Sequence, residues 1–290
     1  MARILLFGKD GQLGRALAPL LSARGELVAL GRAEADFADP DAVKTAVRDS
    51  QPKLIVNAAA YTAVDKAESE PELAMRVNAW SVGVLGEAAA EVGARLVHYS
   101  TDYVFDGTKA APYVEEDAPH PLNVYGESKL AGENALLDSG AQALVLRTSW
   151  VYAAAGKNFV QSMLRIGRER SAGGNSPAEL RIVDDQVGAP TSAEDVAAAT
   201  VAILDKWQGE RGVYHLTAAG AVSWAGFARE IFAQAGMAVQ VVPIASAEYP
   251  TAARRPRNSR LDCTEVAREF GVRLPAWQNG LRRVLAETHK

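Results

Sequence analysis

Cysteine is almost missing: Cys263 stands alone in 290 residues, which excludes an internal disulfide framework and any cysteine-rich zinc site. That usage suits a reducing cytoplasm and makes Cys263 a structural residue. Long hydrophobic runs are missing too. No segment approaches the ~18–20 apolar residues of a membrane span, and the start of the chain lacks the basic, apolar and small-residue parts of a secretory signal. An excess of either charge is also missing. The 31 Lys and Arg against 35 Asp and Glu leave a net charge of -4, which gives no general attraction to nucleic acid or to an anionic bilayer. Basic residues gather only locally, at 254–260. These absences predict a cytoplasmic protein with neither a nucleic acid nor a membrane as partner.

What is present is an ordinary globular composition, 48% hydrophobic and 23% charged, enough for one large core or two unequal lobes. Apolar runs of strand length recur at Ile4–Phe7, Leu27–Leu30, Leu54–Val56, Leu96–Tyr99 and Leu144–Leu146, separated by helix-patterned stretches. That alternation predicts a parallel α/β sheet whose strands are buried on both faces. After Tyr152 the rhythm changes. A helix pattern over Phe159–Arg168 gives way to a loop rich in Gly, Ser, Asn and Pro at 171–178, then a strand at Arg181–Val183, a helix at Ala193–Trp207 and a strand at Val213–Leu216. If that last stretch rejoins the sheet, residues 1–151 and 181–216 form a nucleotide-binding domain and 152–180 and 217–290 a smaller, discontinuous lobe.

The first strand runs into Gly8-Lys9-Asp10-Gly11-Gln12-Leu13-Gly14 and then a helix. Glycines there let the backbone turn tightly and approach a pyrophosphate, whose charge a helix N-terminus favours. At the end of the second strand stands Arg32. Its planar fork suits the 2′-phosphate of NADPH, or it is a solvated surface arginine; Glu34 and the pair Asp36-Phe37 keep NADH open. Ala58-Ala59-Ala60 closes the third strand with small side chains, and Ser100-Thr101-Asp102 closes the fourth with hydroxyls and a carboxylate. Both fall at the carboxyl edge of the sheet, where such folds bind ligands, although small residues also pack helices and Ser-Thr-Asp also makes turns. Further on, Tyr125 and Lys129 stand at i and i+4, on one face if the segment is helical. A phenol beside an ammonium, with the hydroxyl of Thr101 near, is suited to proton transfer.

The glycine spacing, Thr101 and the Tyr125-x-x-x-Lys129 pair, in that order, resemble the extended short-chain dehydrogenase/reductases. Gly11-Gln12-Leu13-Gly14, Val56 to Glu68, Tyr99 to Phe105, Pro121 to Gly126, Arg147 to Tyr152, Asp185 to Thr191 and Arg255 to Ser259 narrow the resemblance to the dTDP-4-dehydrorhamnose reductase family over nearly the whole chain. The resemblance implies a Rossmann-like doubly wound sheet with a smaller substrate lobe. It also implies reduction of dTDP-4-dehydro-β-L-rhamnose to dTDP-β-L-rhamnose, the last step in making that sugar for lipopolysaccharide and other surface polysaccharides. In that family pattern Tyr125 is the proton donor, Lys129 holds the nicotinamide ribose and depresses the phenol pKa, and Thr101 binds the carbonyl oxygen. Gly8, Asp10, Gly11, Gln12, Leu13, Gly14, Arg32, Asp36, Phe37, Ala58, Ala59, Ala60, Tyr125 and Lys129 then belong to the cofactor, with NADPH preferred and NADH accepted. Thr101, Asp102, Phe105, Trp150 and Arg255 belong to the sugar nucleotide, core packing and a solvated basic loop being the alternatives for the aromatics and Arg255.

Some relatives join subunits through magnesium on carboxylates. The matching positions here are Arg15, Glu194 and Gln278, and a single carboxylate beside an arginine is a poor hard-cation site. The expectation is no bound metal, and a homodimer without that bridge. A dehydratase on the same scaffold carries glutamate after the Thr-Asp pair, where this chain has Tyr103. A non-catalytic relative, the regulatory subunit of methionine adenosyltransferase, need not keep the trio that is complete here.

Overall fold

The computed structural model describes residues 2–171 and 178–288. The first half alternates as β1 (Arg3–Phe7), α1 (Gln12–Ser22), β2 (Glu26–Leu30), α2 (Pro40–Ser50), β3 (Leu54–Asn57), α3 (Val64–Ala67), α4 (Pro71–Met75), α5 (Ser81–Val92), β4 (Arg95–Thr101), α6 (Val124–Asp138) and β5 (Gln142–Thr148). The second half runs β6 (Val151–Tyr152), α7 (Phe159–Ser171), β7 (Ala178–Val183), β8 (Val187–Gly188), β9 (Thr191–Ser192), α8 (Ala193–Lys206), β10 (Gly212–His215), β11 (Val222–Ser223), α9 (Trp224–Gln234), β12 (Val239–Ile244), α10 (Thr264–Phe270) and α11 (Trp277–Thr288).

Six strands form one parallel sheet in the order β10-β5-β4-β3-β1-β2. The unalternated apolar runs have their cause in its two covered faces. Leu6, Val56 and Val97 pack with Leu17 and Leu21 of α1 and Val196 and Ile203 of α8. Leu5, Ile55 and Leu96 pack on the other side with Val43 and Val47 of α2, Val82 and Leu85 of α5 and Leu136 of α6. Each such side chain contributes about 1.5–3 kcal/mol on burial. The chain leaves β1 toward β2 and then crosses to β3 on the opposite side, so the order reverses between β1 and β3 and a crevice opens at their carboxyl ends.

The second core holds the smaller lobe together: Val160 and Leu164 of α7, Phe227 and Ile231 of α9, and Leu281 and Val284 of α11. One boundary differs from expectation. The stretch at 181–183, assigned from sequence to the nucleotide-binding domain, extends as β7 and pairs along its length with β12, from Ala178↔Val239 to Val183↔Ile244. Leu180 and Ile182 pack into the small-lobe core, so β7 is bound by its apolar face to that lobe. By contrast α8 lies against α1, and β10 joins the edge of the main sheet. Most of the loop expected at 171–178 lies outside the described residues.

Candidate active site

The glycine turn is built for close approach of backbone. Gly8 has φ +80°, and a Cβ there would sit 2.6 Å from Ala59 N; one at Gly14 would sit 2.0 Å from Gly8 O. Both are therefore needed to seat the turn on the end of β3 and on the helix. Gly11 has a different role. It is the N-cap of α1, makes no side-chain cap and has no acidic residue after it, so its bare Cα and the first-turn amides face the cavities beside it. That surface accepts an anion.

Three cavities line up along the carboxyl edge. One of 320 Å³ is bordered by Asp10, Arg32, Asp36, Phe37 and Ala58–Ala60. A second, of 490 Å³, shares Gly11, Ala58 and Ala60 with it and holds Gln12, Leu13, Thr101, Asp102, Tyr125, Lys129 and Trp150. The third, of 770 Å³, shares Phe159 and Trp224 with the second and lies in the small lobe. The trough thus runs from the glycine turn to Arg254 and Arg255, and all the expected cofactor residues except the packing glycine Gly14 border its first two parts. At the open end Arg32 is paired with Asp36 at 3.1 Å and stays 79% exposed. Glu34, kept from sequence as a ribose partner, is taken by Lys9 and by Gly31 N at 2.8 Å.

Between the lobes the trio comes together. Thr101 Oγ1 donates to Asp102 Oδ1 at 3.1 Å, and its hydrogen bond with Tyr125 acts against the burial that pushes that phenol up to about 12. Asp102 is 2% exposed. Burial lifts its carboxyl to about 7, with the Ser259 hydroxyl and Thr101 moderating the rise. Four buried side-chain atoms among the described residues have no hydrogen-bond partner, and three of them, Ser100 Oγ, Asp102 Oδ2 and Thr148 Oγ1, belong to residues lining the central cavity. Unsatisfied buried polar atoms cost about 1–3 kcal/mol each. Their concentration in one cavity marks it as a site for a hydroxyl-rich ligand.

Tyr125 and Lys129 share a face of α6 as their spacing requires, and both line the central cavity. Their electrostatic relation differs from expectation. Lys129 Nζ donates to Tyr99 O at 2.7 Å and lies 3.1 Å from His98 Nε2, while the influences on Tyr125 are burial, Thr101 and Asp102. Desolvation outweighs the pull of Glu133 and lowers Lys129 to about 8. The lysine is thus anchored to the sheet, and in this geometry it is not the group that tunes the phenol.

Of the expected substrate residues, Trp150 reaches the cleft in an unusual way. It holds φ +48°, a region costly for a bulky side chain, and stacks on Trp224 with centroids 3.5 Å apart. A Cβ on Gly188 would meet its ring at 2.6 Å, so that glycine makes room for it. Phe105 is a correction. It is fully buried, stacked on Tyr113 at 4.2 Å and beneath the Arg147 guanidinium, because the 3-10 turn at Asp102–Val104 rotates it into the core. Arg255 borders the large cavity but is held by Asp65 at 3.0 and 2.7 Å and by Thr251 and Ala253 O. Its neighbour Arg254 also borders that cavity, is exposed and has no ion-pair partner among the described residues.

Residues that sequence reasoning missed lie behind these. Asn78 sits in a π-helical turn at Arg76–Trp80, where it accepts from Tyr61 N at 2.8 Å and donates to Tyr61 O and Ser128 Oγ, both at 3.0 Å. It thereby ties the Ala58–Tyr61 segment to α6. Asn158 donates to Gln12 Oε1 at 2.8 Å, joining the small lobe to the glycine turn. Nothing in a single sequence marks either residue. Glu194, the one carboxylate at the expected interface positions, has a buried Oε2 without a partner, and burial raises its pKa. No group of three or more His, Cys, Asp or Glu suited to a metal occurs among the described residues.

A glycine-turn nucleotide cradle joined at the sheet edge to Thr101, Tyr125 and Lys129 defines a nicotinamide-dependent oxidoreductase of the short-chain dehydrogenase/reductase class. A family model described as RmlD substrate binding domain matches residues 2–290. The dTDP-4-dehydrorhamnose reductase of Escherichia coli K12 is 47% identical over 303 residues, covering 98% of this chain and 97% of that protein. That of Sinorhizobium fredii is 45% identical over 292 residues, covering 98% and 96%. The crystal structure of dTDP-4-dehydrorhamnose reductase from Bacillus anthracis in complex with NADP is 35% identical, with a TM-score of 0.92 and 99% of both chains covered. The chain belongs to the dTDP-4-dehydrorhamnose reductase family.

Proposed function

We propose that this chain reduces the 4-keto group of dTDP-4-dehydro-β-L-rhamnose to give dTDP-β-L-rhamnose in the cytoplasm, with NADPH preferred and NADH accepted. The single observation that carries the reading is the trough itself. It has a phosphate cradle at one end, a large cavity with a free arginine at the other, and Thr101, Asp102 and Tyr125 between. The cradle fits a dinucleotide, because the α1 amides are uncapped and the glycines are demanded by close contacts rather than by chance. Arg32, exposed at the ribose end, supports NADPH, and the Bacillus anthracis relative was solved with NADP.

When bound, the nicotinamide supplies the hydride for the ketone carbon. The protein's part is to place and protonate. Tyr125, protonated at neutral pH because burial raises its pKa, gives its phenolic proton to the ketone oxygen as that oxygen gains charge. Thr101, bonded to both Asp102 and Tyr125, offers its hydroxyl to the same oxygen. Asp102, Ser100 and Thr148 hold unpaired polar atoms for sugar hydroxyls. Trp150, stacked on Trp224, walls the cleft toward the small lobe. Arg254 is the better placed arginine for the pyrophosphate, since Arg255 is engaged with Asp65.

Elimination chemistry is poorly served: the position after Asp102 is Tyr103, whose ring packs edge-on to Tyr125 at 5.9 Å and whose pKa burial pushes up. The test follows NADPH absorbance with the 4-keto sugar nucleotide. Oxidation dependent on that substrate is expected, and Tyr125→Phe should slow it by roughly 10²- to 10⁴-fold. No oxidation of NADPH or NADH by the folded protein with authentic substrate would sink the assignment. Product formed without added nicotinamide would point instead to a dehydratase or epimerase.

A further inference from the structure

Behind Lys129 lies a polar chain that the reduction itself does not use. Asn57 ends β3 and His98 lies opposite it in β4, in parallel register, both fully buried. Asn57 Oδ1 accepts from the backbone N–H of Ala59 at 3.0 Å, which fixes the amide: turning it over would set its NH₂ against that donor. Its Nδ2 therefore donates to His98 Nδ1 at 3.0 Å. A neutral imidazole that accepts at Nδ1 carries its proton on Nε2, and Nε2 points at Lys129 Nζ, 3.1 Å away.

That geometry has one consistent proton count. Burial and the nearby lysine keep His98 neutral, well below its ordinary pKa. An ammonium at Lys129 would then face an N–H with an N–H, whereas an amine accepts from Nε2 and still donates to Tyr99 O at 2.7 Å. We propose that Asn57 and His98 are a buried positioning pair that holds Lys129 as the neutral amine against the sheet and releases it toward the cleft once it gains a proton. The other charges around the lysine leave this balance in place. Glu133 on the same helix is neutralised by Arg147 of β5 at 2.6 Å. Asp65 is paired with Arg255, Glu70 with Lys66, and Glu91 of α5 with Lys44 and Arg48. Glu68 accepts from Val124 N, Arg76 lies over Trp80, and the Tyr99 phenol is bonded to Thr200 on the far face. The groups that face the Asn57–Lys129 neighbourhood from the π-helical turn and α6, Asn78 and Ser128, are uncharged.

The first test needs no substrate: nitrogen-15 NMR of the His98 ring in the intact protein near neutral pH. A bare Nδ1 and a protonated Nε2 are expected, and the opposite tautomer would overturn the proposal. The second uses His98→Gln, whose amide can turn its oxygen to an ammonium, and Asn57→Asp, which forces the proton to Nδ1 and leaves Nε2 to accept. In each folded variant the alkaline limb of kcat/KM should move up by about one pH unit or more. A uniform fall in rate with the limb unmoved in both would reduce the pair to packing and overturn the proposal. This kinetic arm rests on the reductase reading. If no reduction were seen, the NMR result would still decide the proposal, so the two failures are distinguishable.

Discussion

At the scale of single residues, Asp102 states most clearly what the site costs the fold. An ordinary carboxyl titrates near ~3.9, whereas this one, 2% exposed with Oδ2 unbonded, is lifted to about 7. The folded protein therefore binds a proton that the unfolded chain gives up between those values. The stabilising linkage is present below the unfolded pKa and is lost as pH rises through about 7. Asp102→Asn removes it, so the variant's melting temperature relative to the unaltered chain should be higher at pH 8 than at pH 5. The full shift corresponds to about 4 kcal/mol as an upper value. An identical difference at both pH values, in thermal melts, would show that the carboxyl is not held against its charge. Arg255 teaches a related lesson. A basic residue in the right loop is not thereby free, and its Asp65 partner lies 190 positions away.

At the scale of elements, the placement of Tyr125 depends on how closely α6 meets the turn carrying Asp102 and Tyr103. Asn123 caps the helix through Gly126 N at 2.8 Å and reaches Arg254 O at 2.7 Å with its amide, tying the helix start to the substrate loop. Gly126 itself lets Tyr103 O approach, since a Cβ there would be 2.3 Å from that oxygen. Gly126→Ala should push helix and turn apart and lower kcat by about 10²-fold, the scale of an ångström's misplacement. Steady-state kinetics beside a far-ultraviolet spectrum of unchanged helix content checks this. Unaltered kcat would mean that the helix absorbs the methyl elsewhere. The same logic applies at Gly132, where a Cβ would fall 1.9 Å from Asn78 O of the π-helical turn. Two glycines in one helix, each spent on backbone contact, lower its intrinsic stability by roughly 0.5–1 kcal/mol apiece relative to Ala.

At the scale of the molecule, the buried pair of Glu133 on α6 and Arg147 on β5 joins the catalytic helix to the sheet. Arg147 donates to both carboxylate oxygens at 3.0, 3.2 and 2.6 Å, covers Phe105 and lies 3.5 Å from His215 of edge strand β10. Breaking such a pair from one side leaves a buried charge unpaired, so Glu133→Ala should cost about 3–5 kcal/mol in urea unfolding. A loss under about 1 kcal/mol would mean that water reaches the arginine.

The alternation of apolar runs was enough for the doubly wound sheet, since strands covered on both faces leave an unbroken apolar signature in the sequence. The glycine turn was legible for a similar reason: only glycine tolerates those contacts, so the backbone requirement is written as residue type. The i,i+4 spacing of Tyr125 and Lys129 placed both on the cavity side of α6. None of this carried partners across long separations. That β7 belongs with β12, that Phe105 turns inward beneath Arg147, that Asp65 occupies Arg255, and that Lys129 leans on His98 and not on the phenol were decided only by tertiary structure. Local periodicity reports which face of an element is apolar. It holds no record of which buried polar group, distant in the chain, will satisfy another once both are cut off from water.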